Sequence, residues 1–296
     1  MKAQLLLSLG LAGLIAVVSG CGPKEEPASN GTTGSPTPSA EKQTLTVKGS
    51  DTMVQLAQAW AQEFMKANPN ISVSVTGGGS STGFAALFNK TTEVANASRQ
   101  IKSEETEKAK GDGVEVKEFE VAQDALSIVV NPSNPIKELT MAQLKDIYTG
   151  KVTNWKALGG QDKNIIAVSR ESSSGTFVFF QEHVLNKEPF AASVQLSPAT
   201  SQIVDNVAQD AGAIGYVGLG YMTDKIKAIP IKKDATSPAI PGTSATVLDK
   251  SYPLARALYE YTNGEPTGAV KTWLDWILSA EGQKIVEDLG FVPVAK

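Results

Sequence analysis

At Arg170 a short apolar run, Ile165-Ile166-Ala167-Val168, passes into an aromatic-rich run, 177–184, through Arg170-Glu171-Ser172-Ser173-Ser174-Gly175-Thr176. The first run reads as a strand and the second as a helix, so a cation and several hydroxyls gather where one hands over to the other. Three further junctions of this kind lie upstream: Gly49-Ser50-Asp51-Thr52, Gly77-Gly78-Gly79-Ser80-Ser81-Thr82-Gly83 and Ala97-Ser98-Arg99. Strands alternating with helices constrain the chain to α/β sheets, with the polar loops collected at the carboxyl ends of the strands. Helix N-termini carry unpaired N–H groups and partial positive charge, which suits an anion. Taken singly, each loop is also an ordinary Ser/Thr helix cap.

The rest of the chain fits that alternation. Leu45 and Val47 alternate as a strand, and Met53, Leu56, Ala57, Trp60 and Phe64 recur at helical spacing until Asn68-Pro69 stops them. Ile71, Val73 and Val75 form a second strand, Phe84, Leu87 and Phe88 a short helix, and Val94 to Arg99 a third strand end. Another helix starts at Ser103, and Asp124 opens a buried strand that ends at Asn131-Pro132. A second α/β block follows. Thr140-Met141-Ala142-Gln143 has the capping-box pattern of a helix start, Ile203 and Val207 mark a helix, and 212–217 is a glycine-edged strand. Residues 235–246 read as loop and Tyr252 to Tyr261 as strand. Val270, Trp273, Leu274 and Ile277 form a late helix, with another over 282–289.

The first residues stand apart. Lys2 and the apolar stretch 5–18 read as a signal peptide over 1–20, too short to span a membrane comfortably. Cys21, the single cysteine, excludes an intrachain disulfide. Its setting, Val18-Ser19-Gly20-Cys21, resembles a bacterial lipobox, in which the cysteine is lipidated; the alternative is a plain secretory signal with an incidental cysteine. Residues 21–43 then form a disordered linker rich in Pro, Ser, Thr and Glu, spanning on the order of 25 Å. With a net charge of -4, nothing points to nucleic acid. No Cys/His cluster supports a metal site, and no cofactor is expected.

Together the junctions supply Thr52, Ser80, Ser98, Ser174, Gly175 and Thr176 as hydroxyl and backbone donors, with Arg170 and Asp124 as the charged members. Many donors, a cation and a carboxylate fit an anion that itself carries a proton, which Asp124 would accept. The ordered motifs Gly49-Ser50-Asp51-Thr52-Met53, Gly79-Ser80-Ser81-Thr82-Gly83, Ala97-Ser98-Arg99, 170–176, Ala213-Ile214-Gly215-Tyr216 and 139–155 resemble those of the periplasmic phosphate-binding proteins of bacterial ABC transporters.

That resemblance implies the α/β type II periplasmic-binding-protein fold: two lobes joined by two hinge strands and closing on the ligand. Lobe 1 would be 44–131 plus 250–296, and lobe 2 132–249. It implies that Thr52 contributes its hydroxyl and N–H, Met53 its N–H, and Ser80, Arg170, Ser174, Gly175 and Thr176 the remainder. Some members place the proton-accepting Asp where this chain has Ser98; here Asp124 would take the role, as in a related branch. The implied protein is not an enzyme but an exported, membrane-anchored monomer, periplasmic or at the cell surface, whose partners are inorganic phosphate and a transporter permease.

Three other readings stay open. Sulfate, molybdate or tungstate could replace phosphate. Gly79-Ser80-Ser81-Thr82-Gly83 also satisfies the G-x-S-x-G pattern of a serine hydrolase using Ser81, with Asp124 and His183 following. Asp124 could instead be an ion-pair partner of Arg99. His183, amid Phe179, Phe180 and Val184, reads as structural.

Overall fold

The computed structural model describes residues 42–294. The signal peptide, Cys21 and the linker up to residue 41 lie outside the described residues. The first block runs β1 (Gln43–Gly49), a 3-10 turn (Asp51–Met53), α1 (Val54–Ala67), β2 (Ile71–Thr76), α2 (Ser80–Phe88), β3 (Val94–Ala97), α3 (Ser103–Gly111) and β4 (Val116–Val130). The second runs β5 (Leu139–Thr140), α4 (Met141–Tyr148), β6 (Ile166–Arg170), α5 (Gly175–His183), β7 (Gln195–Ser197), α6 (Thr200–Gln209) and β8 (Ala213–Gly218). It continues with β9 (Lys227–Ile229), β10 (Ile231–Lys232), β11 (Ala239–Ile240) and α7 (Ser244–Leu248). The chain then returns through β12 (Ala255–Asn263) to α8 (Gly268–Ile277) and α9 (Ala280–Asp288).

The sheet order is β2-β1-β3-β12-β4-β8-β6-β7, with β9 also on β4. β4 is the strand that joins the two halves. Its first part pairs antiparallel with β12, from Val116↔Asn263 to Ala125↔Ala255, and its last part, from Leu126 to Val130, pairs with β8. The sequence reading began this strand only at Asp124. Lys117, Glu118 and Glu120 obscured its first part, where the side chains are half exposed.

Burial explains the helices. α1 places Leu56, Ala57, Trp60, Ala61 and Phe64 on one buried face. There Trp60 and Phe64 meet Trp273 of α8 edge-on, at 6.3 and 5.2 Å. α4 carries the expected capping box: Gln143 N–H donates to Thr140 Oγ1 at 3.1 Å and Thr140 N–H to Gln143 Oε1 at 2.8 Å. In the second block Phe180 stacks on Tyr216 at 4.2 Å and meets Tyr148 at 4.6 Å, which fixes α5 over the sheet. The span read as loop over 235–246 instead holds β11 and most of α7, whose start is capped by Thr243.

β12 buries two charged residues, Arg256 and Glu260. Glu260 Oε2 accepts from Trp273 Nε1 at 2.8 Å, while Oε1 has no partner. Burial pushes this carboxyl up from 4.5 to about 8. The folded protein therefore keeps a proton that the unfolded chain has lost, and between pH 4.5 and 8 this residue lowers stability as pH rises. The slope is about 1.4 kcal/mol per pH unit inside that window. Glu260→Gln should flatten the fall in thermal midpoint between pH 5 and pH 8; a Gln variant that tracks the wild type across that range would contradict this assignment.

Candidate functional site

The loops that leave β1, β3 and β6 meet at one point, the Thr176 hydroxyl. Thr176 Oγ1 lies 2.9 Å from Thr52 Oγ1 and 3.3 Å from Ser98 Oγ, and it accepts from Arg256 Nη1 at 3.0 Å. Thr52, Ser98, Thr176 and Arg256 are all buried. Ser80 sits beside them, its Oγ accepting from Ser98 N–H at 3.1 Å. Ser174 caps α5, its Oγ accepting from Thr176 N–H at 3.2 Å.

Two glycines let the blocks approach this closely. A Cβ at Gly175 would run into Ser80 Oγ, so only glycine admits this contact at the start of α5. At Gly79, φ is +94° and a Cβ would strike the Ser173 carbonyl. Ser81 N–H donates to that same carbonyl at 3.1 Å. As a result α2 and α5 point their N-termini at one another, with the turn that leads into α1 beside them. Their partial positive charges accumulate at the hydroxyl cluster.

The charged residues are held by partners within the protein. Arg170 was expected to face the anion. Its Nε donates to Ser197 O at 3.1 Å, Nη1 to Thr200 Oγ1 at 2.7 Å, and Nη2 to both Asp51 Oδ2 and Pro198 O at 2.6 Å. Asp51 completes that bridge between the blocks by accepting Gly78 N–H on Oδ1 at 3.0 Å. The cation in contact with the hydroxyls is Arg256, which the sequence reading missed.

Arg256 binds Asp124, its opposite number across the β12–β4 register, through Nε at 3.1 Å and Nη2 at 2.9 Å, both on Oδ2. Asp124 Oδ1 accepts Leu219 N–H at 2.8 Å. Burial pushes the Asp124 carboxyl up and the Arg256 guanidinium down, and each charge opposes the shift of the other. Asp124 does not pair with Arg99, which instead grips Glu105 at 2.6 and 2.7 Å.

Met53 follows Thr52 in the turn that leads into α1. Its N–H donates to Ser50 O at 3.1 Å inside the 3-10 turn, and its side chain lies in the core. The hydrolase set does not assemble among the described residues. Ser81 Oγ accepts from Arg99 at 3.1 Å, Asp124 is held by Arg256, and His183 Nδ1 meets Phe179 O at 3.0 Å. His183 stacks on Phe179 at 4.1 Å, in keeping with a structural histidine.

One clue to Arg256 was present in the sequence. Leu254, Arg256, Leu258 and Glu260 share one face of an alternating strand, and the apolar members mark that face as buried.

The comparisons agree with this architecture. The PBP superfamily domain matches residues 33–281. A solved structure from Clostridium perfringens with bound phosphate, assigned as a phosphate ABC transporter substrate-binding protein, superposes with a TM-score of 0.78 at 35% identity, covering 86% of this chain and 100% of that one. The fold is thus that of the two-lobed periplasmic binding proteins. The phosphate-binding protein PstS of Bacillus subtilis is 33% identical over 299 residues, covering 99% of this chain and 95% of its own. That of Pseudomonas aeruginosa is 31% identical over 303 residues, covering 97% and 91%. The chain belongs to the PstS family of phosphate-binding proteins.

Proposed function

We propose that this protein binds inorganic phosphate outside the cytoplasmic membrane and delivers it to the permease of an ABC transporter. The observation that carries the reading is the convergence of Thr52, Ser98 and Thr176 hydroxyls at the N-termini of helices from both blocks. The names and the bound phosphate of the relatives point the same way. The binding set is Thr52, Met53, Ser80, Ser98, Asp124, Arg170, Ser174, Gly175 and Thr176. Lobe 1 is 44–131 plus 250–296 and lobe 2 is 132–249, with β4 and the chain entering β12 as the hinges.

The two blocks are joined directly around the cluster, by Arg170–Asp51 at 2.6 Å, by Tyr221 OH donating to Asp51 O at 2.6 Å, and by Lys102–Glu182 at 3.3 Å. Donors divided between two lobes reach one ion together only when the lobes close, so binding favours the closed form. Selectivity follows from protons. Phosphate near neutral pH keeps at least one, which the Asp124 carboxylate accepts. Sulfate presents only bare oxygens, which a buried carboxylate repels.

Calorimetric titration with phosphate, arsenate, sulfate and molybdate tests this directly. Phosphate and arsenate, which both carry protons, should bind, and sulfate should bind at least about 100-fold more weakly. Tighter binding of sulfate or molybdate would replace phosphate as the ligand.

Cys21 is the proposed lipid anchor, and the stretch from Gly22 up to β1, which takes in Gln43, the tether that leaves the lobes free at a membrane surface. No helix among the described residues is long and apolar enough to cross a membrane. The carrier is proposed to act as a monomer. Cys21→Ser should release the protein from membranes or leave it misprocessed, with phosphate binding intact; unchanged membrane attachment on fractionation would refute the anchor.

A further inference from the structure

β12 lies between β3 and β4 in the sheet, and Glu260 stands directly opposite Asn96 of β3. Residues opposite one another on antiparallel strands point to the same face. Here that face is the one covered by α8, since Glu260 Oε2 accepts from Trp273 Nε1. Both residues are buried. Glu260 Oε1 and Asn96 Oδ1 each lack a hydrogen-bond partner among the described residues. An ionised carboxyl and an amide oxygen are both acceptors, so two buried neighbours would meet with no hydrogen between them. A buried acceptor left unpaired is costly, and a single proton on Oε1 satisfies both.

The surroundings supply no charge that would hold the ionised form. Phe119 is the residue opposite Glu260 on β4, and Trp60 and Phe64 of α1 pack on Trp273 from behind. The charged residues of these elements lie elsewhere. Glu118 and Glu120 of β4 are exposed, and Glu118 accepts from Tyr261 OH on the other face of the sheet. Lys271 and Asp275 of α8 pair with each other in solvent, as do Glu63 and Lys66 of α1. Arg256, further along β12, is turned onto Asp124. Burial therefore governs the carboxyl, opposed only by the Trp273 N–H.

We infer that Glu260 carries a proton in the folded protein and donates it to Asn96 Oδ1, and that this bond is a pH-operated brace beneath the phosphate loops. The link to affinity rests on the phosphate reading above. Asn96 is tied to two of those loops. Its backbone carbonyl accepts Ser50 N–H at 2.9 Å, at the start of the loop after β1, and Ser98 lies two residues further along its own chain. Losing the proton sets a bare carboxylate against Asn96 Oδ1 and loosens the brace. It also places a poorly screened negative charge below a site for an anion. Both effects weaken phosphate binding as pH rises through the carboxyl's folded value, and neither acts below it.

The test measures phosphate affinity of the full-length wild type, Glu260→Gln and Asn96→Ala from about pH 6 to about pH 9.5, which brackets the carboxyl at about 8. In Glu260→Gln the amide accepts from Trp273 and donates to Asn96 at every pH, so the brace no longer titrates. This variant should match the wild type at the acid end, and the wild type should fall at least about threefold below it at the alkaline end. A constant ratio of the two affinities overturns the link to binding. Linkage is reciprocal, so bound phosphate favours protonated Glu260. Calorimetry near pH 8.5 in buffers of different ionisation enthalpy should show the wild type taking up more protons on binding than Glu260→Gln; equal uptake contradicts the proposal.

Infrared spectra read the proton itself. A protonated-carboxyl band present in the wild type at neutral pH should be absent from Glu260→Gln, and spectra without that difference overturn the assignment. Asn96→Ala removes the acceptor that favours the neutral form, so the band should be lost at lower pH than in the wild type. An unmoved transition, or one moved to higher pH as an ionised Glu260 accepting from the Asn96 amide would give, contradicts the role of Asn96. The band does not depend on phosphate. If the wild type binds no phosphate, the phosphate reading falls while the spectra still decide the Glu260–Asn96 bond.

Discussion

Asp124 and Arg256 stand opposite each other on neighbouring antiparallel strands, so the register of β4 against β12 sets a full negative charge against a full positive one inside the protein. Taking both out of water is costly, and the return depends on good geometry and on filling the remaining donors and acceptors. Here those are filled by Leu219 N–H on the carboxylate and by Ser98 O and Thr176 Oγ1 on the guanidinium. Each of these partners belongs to a different loop at the cleft. The pair therefore ties the junctions after β3, β6 and β8 to the strand that joins the two halves of the sheet.

The other elements serve that arrangement. The Trp60–Phe64–Trp273 contact anchors α1 and α8 on one side, and the Tyr148–Phe180–Tyr216 stack anchors α5 on the other. Rigid helices set on rigid sheets then present their N-termini across the cleft, where Gly79 and Gly175 remove the side chains that would hold the lobes apart. On the flanks, Arg170–Asp51 and Lys102–Glu182 join the same two halves. The first pair is far more buried than the second, so it is the less screened of the two.

Much of this was legible in the sequence because the loops that form the cluster are short and locally patterned. Ser-Gly-Thr at 174–176 caps a helix and supplies the central hydroxyl, and both roles follow from its position between an apolar run and an aromatic one. The first part of β4 was hidden because a half-exposed strand carries charges on its open face, as at Glu118 and Glu120. The strands of two or three residues, β5, β7 and β9 to β11, are too short to show any period. Arg256 was missed for a different reason: Asp124, the partner that holds it, lies 132 residues away in the chain. Asp51 was read only as part of a motif, because its partner lies 119 residues away in the chain.

The central claim is that the anion sits where Thr52, Ser98, Thr176 and Arg256 converge. Arsenate shares phosphate's shape and protons, and its arsenic atom can be located by anomalous scattering in a crystal grown with it. The account predicts one strong peak within hydrogen-bond reach of those hydroxyls and of Arg256 Nη1, with the Asp124–Arg256 contact kept. A peak out of reach of those hydroxyls, or one lying outside the cleft, would contradict it.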